Sequence, residues 1–250
     1  LLWEENRRDG GIQWRLPFMN KHFGGLRKGD FGFIFARTNT GKTSFLASEV
    51  SYMLKSVDAP ICWFNNEEGG SRLKFRVIQS YFGITKEVLG EKRQIAVERF
   101  EKETNERLKI YDGATYSKSK IEYVVKRDKP ALIVIDNLDK LYGFKGDRHD
   151  LLLGNIYRWG RELAKTYAPV IGVCQAGASA DNKKWLQLND VCDAHVAKQA
   201  ESDFIIGIGM NLDVGMENIR YLHLVKNKFS NEESKFMCEL DAKISRYKEK

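Results

Sequence analysis

Residues 36–43 read Ala-Arg-Thr-Asn-Thr-Gly-Lys-Thr, a small polar loop that runs into Gly-Lys-Thr at the start of a helical pattern. That order of residue types suits phosphate. Loop N–H groups and a helix N-terminus wrap the anion, lysine neutralises charge, and a hydroxyl can hold Mg2+. Ala36, Arg37, Thr38, Asn39, Thr40, Gly41, Lys42, Thr43 and Ser44 are therefore the expected nucleotide-binding segment, with Lys42 at the reacting phosphates and Thr43 on the metal. Ala36 departs from the general pattern GxxxxGK[ST], which begins with glycine. A Gly-Lys-Thr that merely opens an ordinary helix is the plain alternative, and the flanking elements weigh against it.

Phosphate chemistry needs an acidic partner for the metal and a base for the attacking water. The run Ala131–Asp136 ends in Asp136, the expected second metal residue, whereas Asp139 reads as structural. Glu67 and Glu68 follow another apolar run. Adjacent strand residues point opposite ways, so at most one of them faces the phosphates, and spacing does not choose between them.

These residues require strands that end at one place. Residues 31–36 are apolar and β-like, and Phe45, Leu46, Val50 and Leu54 then recur at helical spacing. Further strands are expected at 61–65, 108–112, 131–136 and 170–175, with helices over 71–82, 91–107 (exposed), 117–128 and 149–167. From residue 203 strands follow one another without helices. The expected fold is α/β, a mostly parallel central sheet flanked by helices with antiparallel C-terminal strands, and ligands at the carboxyl ends of the parallel strands. Residues 1–20, with Leu1, Leu2, Trp3 and Trp14, read as an arm, and 21–250 as the catalytic domain. That the chain opens on Leu points to a fragment.

The 250 residues are enough for one large core, and 42% hydrophobic content indicates a globular chain. No apolar window reaches the length of a membrane span, so no membrane partner is expected. Four scattered cysteines without CxxC spacing suit reduced thiols in the cytoplasm and argue against zinc. A net charge of +7 suits a polyanionic partner, although simple solubility explains it equally well.

Several segments together resemble the RecA-like ATPase domain of DnaB-type replicative helicases, particularly phage versions. GGLRKGDFGFIFARTNTGKTSF resembles that family's Walker A region, which often has Ala at the position of Ala36. FNNEEGGSRLKFRVIQSYFGI resembles the strand with the catalytic glutamate, and this likeness puts the base at Glu67. ALIVIDNLDKL resembles Walker B, and VIGVCQ the strand whose final glutamine, here Gln175, couples the γ-phosphate to DNA loops. HLVKNKFSNEESKFMCEL resembles the last hairpin, in which a Lys-x-Arg reaches the neighbouring subunit's nucleotide. Here that position reads Lys226-Asn227-Lys228, and lysine lacks the forked contact of arginine; Lys228 suffices or another arginine such as Arg220 serves. The likeness covers about residues 20–242.

The resemblance implies an ATP- and Mg2+-dependent helicase motor, hexameric, on single-stranded DNA at a replication fork in a bacterial or phage-infected cytoplasm, with a primase or loader as further partner. Residues 179–190, which carry Lys183, Lys184 and Trp185 directly after Gln175, are the expected DNA-facing loop: lysines track phosphates and an aromatic stacks on bases. Residues 142–150 are a second candidate. A solvated turn is the alternative for both. A recombinase on the same core, or a regulatory ATPase that does not unwind, are the rival readings. The four histidines lack ligand spacing and are expected to be structural.

Overall fold

The computed structural model describes residues 10–193, 195–230 and 234–250. In chain order its elements are α1 (Pro17–Phe23), β1 (Phe31–Ala36), α2 (Lys42–Met53), β2 (Ile61–Asn65), α3 (Gly70–Phe82), α4 (Lys86–Glu91), α5 (Arg93–Thr104), β3 (Leu108–Asp112), α6 (Lys118–Asp128), β4 (Leu132–Asp136), α7 (His149–Thr166), β5 (Val170–Gln175), α8 (His195–Glu201), β6 (Phe204–Gly209), β7 (Ile219–Asn227), β8 (Ser234–Asp241) and β9 (Arg246–Glu249). Among the described residues the strands form one sheet in the order β3-β2-β4-β5-β1-β6-β7-β8-β9. Pairing is parallel from β3 to β6 and antiparallel from β6 to β9, the arrangement expected from the sequence.

The central strands are continuous apolar runs because helices cover both faces. β1 is buried throughout. Its Phe31, Phe33 and Phe35 enter one core cluster with Ile133, Ile135 and Tyr157, while Ile34 and Ala36 enter the other with Leu46 and Val50. Tyr157 meets Phe33 edge-on at 5.3 Å. This alternation fixes register, since a slip of one residue would turn every phenylalanine to the wrong face.

The parallel strands bring their carboxyl ends to one edge. Ala36 pairs with Gln175, and Asn65 pairs with both Asp136 and Asp112. The loops that follow β1, β2, β4 and β5 therefore line the same crevice.

Local differences from the sequence reading have identifiable causes. The exposed helix expected over 91–107 is two helices broken at Lys92, and the break lets Leu89, Ala96 and Phe100 reach one core cluster. Asn105, at φ 48°, ends α5 in the left-handed region that asparagine tolerates. Residues 10–20, read as part of an arm, pack on this same domain: Trp14 is fully buried against Phe23 and Phe204. Arg15 ties the segment to α2, its N–H donating to Glu49 Oε2 at 2.6 Å and its guanidinium to Ser48 O and Ser51 Oγ. Leu1, Leu2 and Trp3 lie outside the described residues. No described helix is long and apolar enough to cross a membrane.

Candidate active site

β1 delivers the loop Arg37–Thr40 directly to the N-terminus of α2. Gly41 adopts φ 108°, a region that glycine enters without strain, and a Cβ there would lie 2.8 Å from Tyr247 Oη. No side chain caps α2, so the first-turn N–H groups remain available to an anion. Lys42 folds over the loop, Nζ donating to Ala36 O at 3.1 Å and Arg37 O at 3.4 Å. Burial lowers its pKa, against the opposing charges of Glu67 and Asp136. Ser44 is buried, and its Oγ accepts from Arg76 at 3.4 Å.

The loop is held from beneath by the last hairpin, which sequence reading missed. Arg220 Nε donates to Thr40 O at 2.6 Å and Tyr247 Oη to Gly41 O at 3.2 Å. The remaining contacts of Arg220 go to Glu217 O and Ile219 O. Its guanidinium is thus committed within its own chain, and it does not fit the expected alternative role of reaching a neighbour's nucleotide.

Asp136 ends β4 with 1% exposure, and among the described residues neither carboxylate oxygen has a hydrogen-bond partner. Burial, with the nearby charge of Glu67, pushes its pKa to about 7, while Lys42 pulls the other way. A buried carboxylate without a donor is costly unless something positive compensates it. Asp136, with the Thr43 hydroxyl at the head of α2, therefore fits a hard divalent cation of the Mg2+ kind, which takes oxygen ligands.

The two glutamates separate. Glu67 Oε1 accepts from Asn137 Nδ2 at 3.1 Å and pairs with Lys140 at 2.8 Å. Burial would raise its pKa, but these two donors and the charge of Lys42 outweigh that and hold it below the usual value. Glu68 turns to Arg76 of α3, at 3.3 Å. The orientation comes from an amide interlock that the sequence does not reveal. Asn66 Oδ1 accepts from Asn137 N at 2.7 Å, Asn66 Nδ2 donates to Asn137 O at 3.1 Å, and Asn66 N donates to Asp136 O at 2.8 Å.

Gln175 lies at the exposed end of β5 beside Ala36. The chain beyond it folds back, with Ala176 bridging Val191 and Cys192 N donating to Gln175 O at 3.2 Å. The enclosed loop is organised around the buried carboxylate of Asp190, which accepts from Ser179 Oγ at 2.9 Å, Gln187 N at 2.7 Å and Lys183 Nζ at 2.7 Å. Lys184 is exposed, 3.9 Å from Asp213, and Trp185 stands edge-on to Tyr221 at 5.0 Å. Their backbone rests on β6, where a Cβ at Gly209 would come within 2.0 Å of Lys184 O. Arg37 of the phosphate loop reaches the same segment, pairing with Asp181 at 2.5 Å. The second candidate loop is tied into its own surroundings through Lys145 O, which accepts from Asn155, and through the Arg148–Asp150 pair.

Lys226 and Lys228 stand elsewhere. Asn227 pairs with Phe204 at the amino end of β6, which itself aligns with Gly32. That is the opposite end of the parallel strands from the phosphate loop, about 17 Å of strand away. Lys226 donates to Gln199 O, and Lys228 lies 3.7 Å from Asp203. Neither lysine meets its own chain's loop. His223 is buried with Nδ1 at Leu186 O, and His22 Nδ1 meets Ser234 Oγ at 3.1 Å, structural roles as expected. The side chain of His195 lies outside the described set.

Comparison with known proteins gives the same picture over most of the chain. A family model described as "DnaB-like helicase C terminal domain" matches residues 11–206. Among solved structures, one described as an isolated "ATPase Domain" superposes with a TM-score of 0.83 at 18% identity, covering 100% of this chain and 96% of that one. "The Structure Of A DnaB-Like Replicative Helicase And Its Interactions With Primase" superposes with a TM-score of 0.84 at 18% identity, covering 98% of this chain and 66% of that one. At this identity the two superpositions establish the RecA-like fold.

Proposed function

This chain belongs to the DnaB-like helicase C-terminal domain family, the ATP-hydrolysing motor of replicative DNA helicases, and on that premise we propose that it works as one subunit of a hexameric ring that moves on single-stranded DNA. The observation that carries this reading is the convergence of Lys42, Glu67 and the unpartnered, buried Asp136 at the carboxyl ends of β1, β2 and β4.

ATP binds with its phosphates in the loop 36–44. Lys42 neutralises charge on them, and Thr43 and Asp136 hold Mg2+. Bound Mg2+ contributes charge stabilisation of the phosphates. Glu67, ionised and fixed by Asn137 and Lys140, orients the attacking water. Lys226 and Lys228 complete the site of the next subunit, a role supported by their position at the far end of the sheet from their own loop. Gln175 senses the γ-phosphate, and Lys183, Lys184 and Trp185 contact the strand. The protein acts in a bacterial or phage-infected cytoplasm, with a primase or a loader as a further partner.

Glu67→Gln tests the centre of this reading. It should bind ATP with near wild-type affinity yet lose turnover by about a hundredfold or more. Turnover at the wild-type rate would remove Glu67 from the reaction.

A further inference from the structure

Three residues beyond Asp136, the short turn Leu138–Lys140 presents Asp139. Its Oδ2 accepts from Lys198 Nζ at 2.7 Å and its Oδ1 from Tyr157 Oη at 3.0 Å. Lys198, on α8, is fully buried. The same ammonium donates to Cys192 O at 2.8 Å and lies 5.2 Å from the centroid of the Tyr157 ring. Cys192 is also the residue whose N–H closes the loop 176–193 onto Gln175 O. One buried cation thus joins the turn after the metal-side strand to the far end of the loop that starts at Gln175.

We propose that Asp139 and Lys198 are positioning residues that transmit the nucleotide state of the β4 end to the loop 176–193. The argument is physical. An ammonium without access to water cannot exchange either partner for solvent, so both acceptors stay tied to it at hydrogen-bond distance. A shift of the turn, when charge on Asp136 is compensated or released, therefore has to move Cys192 or break a buried charged bond. The other tether of this loop, Arg37–Asp181, is 38% and 64% exposed at its two side chains and is screened by solvent, which makes it the weaker link. The proposal goes beyond the reading of this loop as the DNA contact and shares only its assumption that the loop responds to nucleotide.

The test uses Lys198→Met alone and paired with Asp139→Asn. Removing the cation alone strands a carboxylate and can unfold the domain. Replacing both partners leaves no uncompensated charge, and the amide oxygen introduced by Asp139→Asn still accepts from Tyr157. The double variant should fold and bind a non-hydrolysable ATP analogue within about threefold of wild type, yet lose about tenfold in oligonucleotide stimulation of ATP hydrolysis. Hydrogen exchange over residues 176–193 reads the link without nucleic acid. Wild type should show a difference between analogue and ADP, and the double variant should not. A double variant that keeps both the exchange difference and the stimulation overturns the proposal, as does a wild-type loop whose exchange ignores nucleotide. Wild type that shows the exchange difference but binds no oligonucleotide would leave the link standing and refute the DNA contact instead.

Discussion

Asp136 is the residue at which stability and chemistry pull apart. Its carboxylate is buried without a donor, so in the absence of a cation it opposes folding. Asp136→Asn should raise the urea midpoint in chelator by an amount equivalent to about 1–2 kcal/mol, while abolishing hydrolysis. Added Mg2+ should stabilise wild type and leave the variant unchanged. A variant less stable than wild type in chelator would mean that the carboxylate has a compensating partner. Glu67 makes the opposite use of its neighbours: three positive or donating groups keep it ionised, as an acceptor for water must be.

Among the elements, α2 serves two ends. Its N-terminus faces the phosphates, and its middle receives the entry segment through Arg15 and Glu49. Glu49 is fully buried, and burial, only partly offset by the Arg15 N–H and guanidinium, lifts its pKa from 4.5 to about 7. The folded state therefore holds this proton more tightly than the unfolded chain. Stability should fall as pH rises from 4.5 to about 7 and level off above. The shift is worth about 3 kcal/mol at most. Denaturation midpoints of wild type and Glu49→Gln, compared at pH 5 and pH 8, should diverge as pH rises, the variant gaining on wild type. Parallel profiles would mean that Glu49 is ionised in the fold.

In the whole molecule the decisive fact is polarity. Every parallel strand ends at the phosphate loop, and Lys226 and Lys228 sit where those strands begin. A head-to-tail contact between copies joins these two faces, and such a contact closes into a ring when its rotation permits. Complementation follows. Glu67→Gln and the double substitution Lys226→Ala with Lys228→Ala should each be inactive alone. Mixed one to one and reassembled, roughly a quarter of the seams regain both Glu67 and the lysines, because each seam draws its two faces from different subunits. ATP hydrolysis should return to a comparable fraction of wild type, and no recovery on mixing would place the lysines outside the seam.

Strands, their burial and the phosphate loop were legible without coordinates. A parallel strand covered on both faces must be apolar throughout, and Gly41-Lys42-Thr43 between such a strand and a helix has few other uses. Helical spacing likewise marked α2, α3 and α7. Short elements escaped, because α1, α4, α8 and β9 hold four to seven residues each, too few for a period to show. Only tertiary structure decided which glutamate faces Lys42, since Asn66 and Asn137 are 71 positions apart. The same holds for Arg220 under Thr40 and for Lys198 under Asp139. Local periodicity records which face of an element is buried; the partner that a polar side chain meets depends on which distant strand ends arrive beside it.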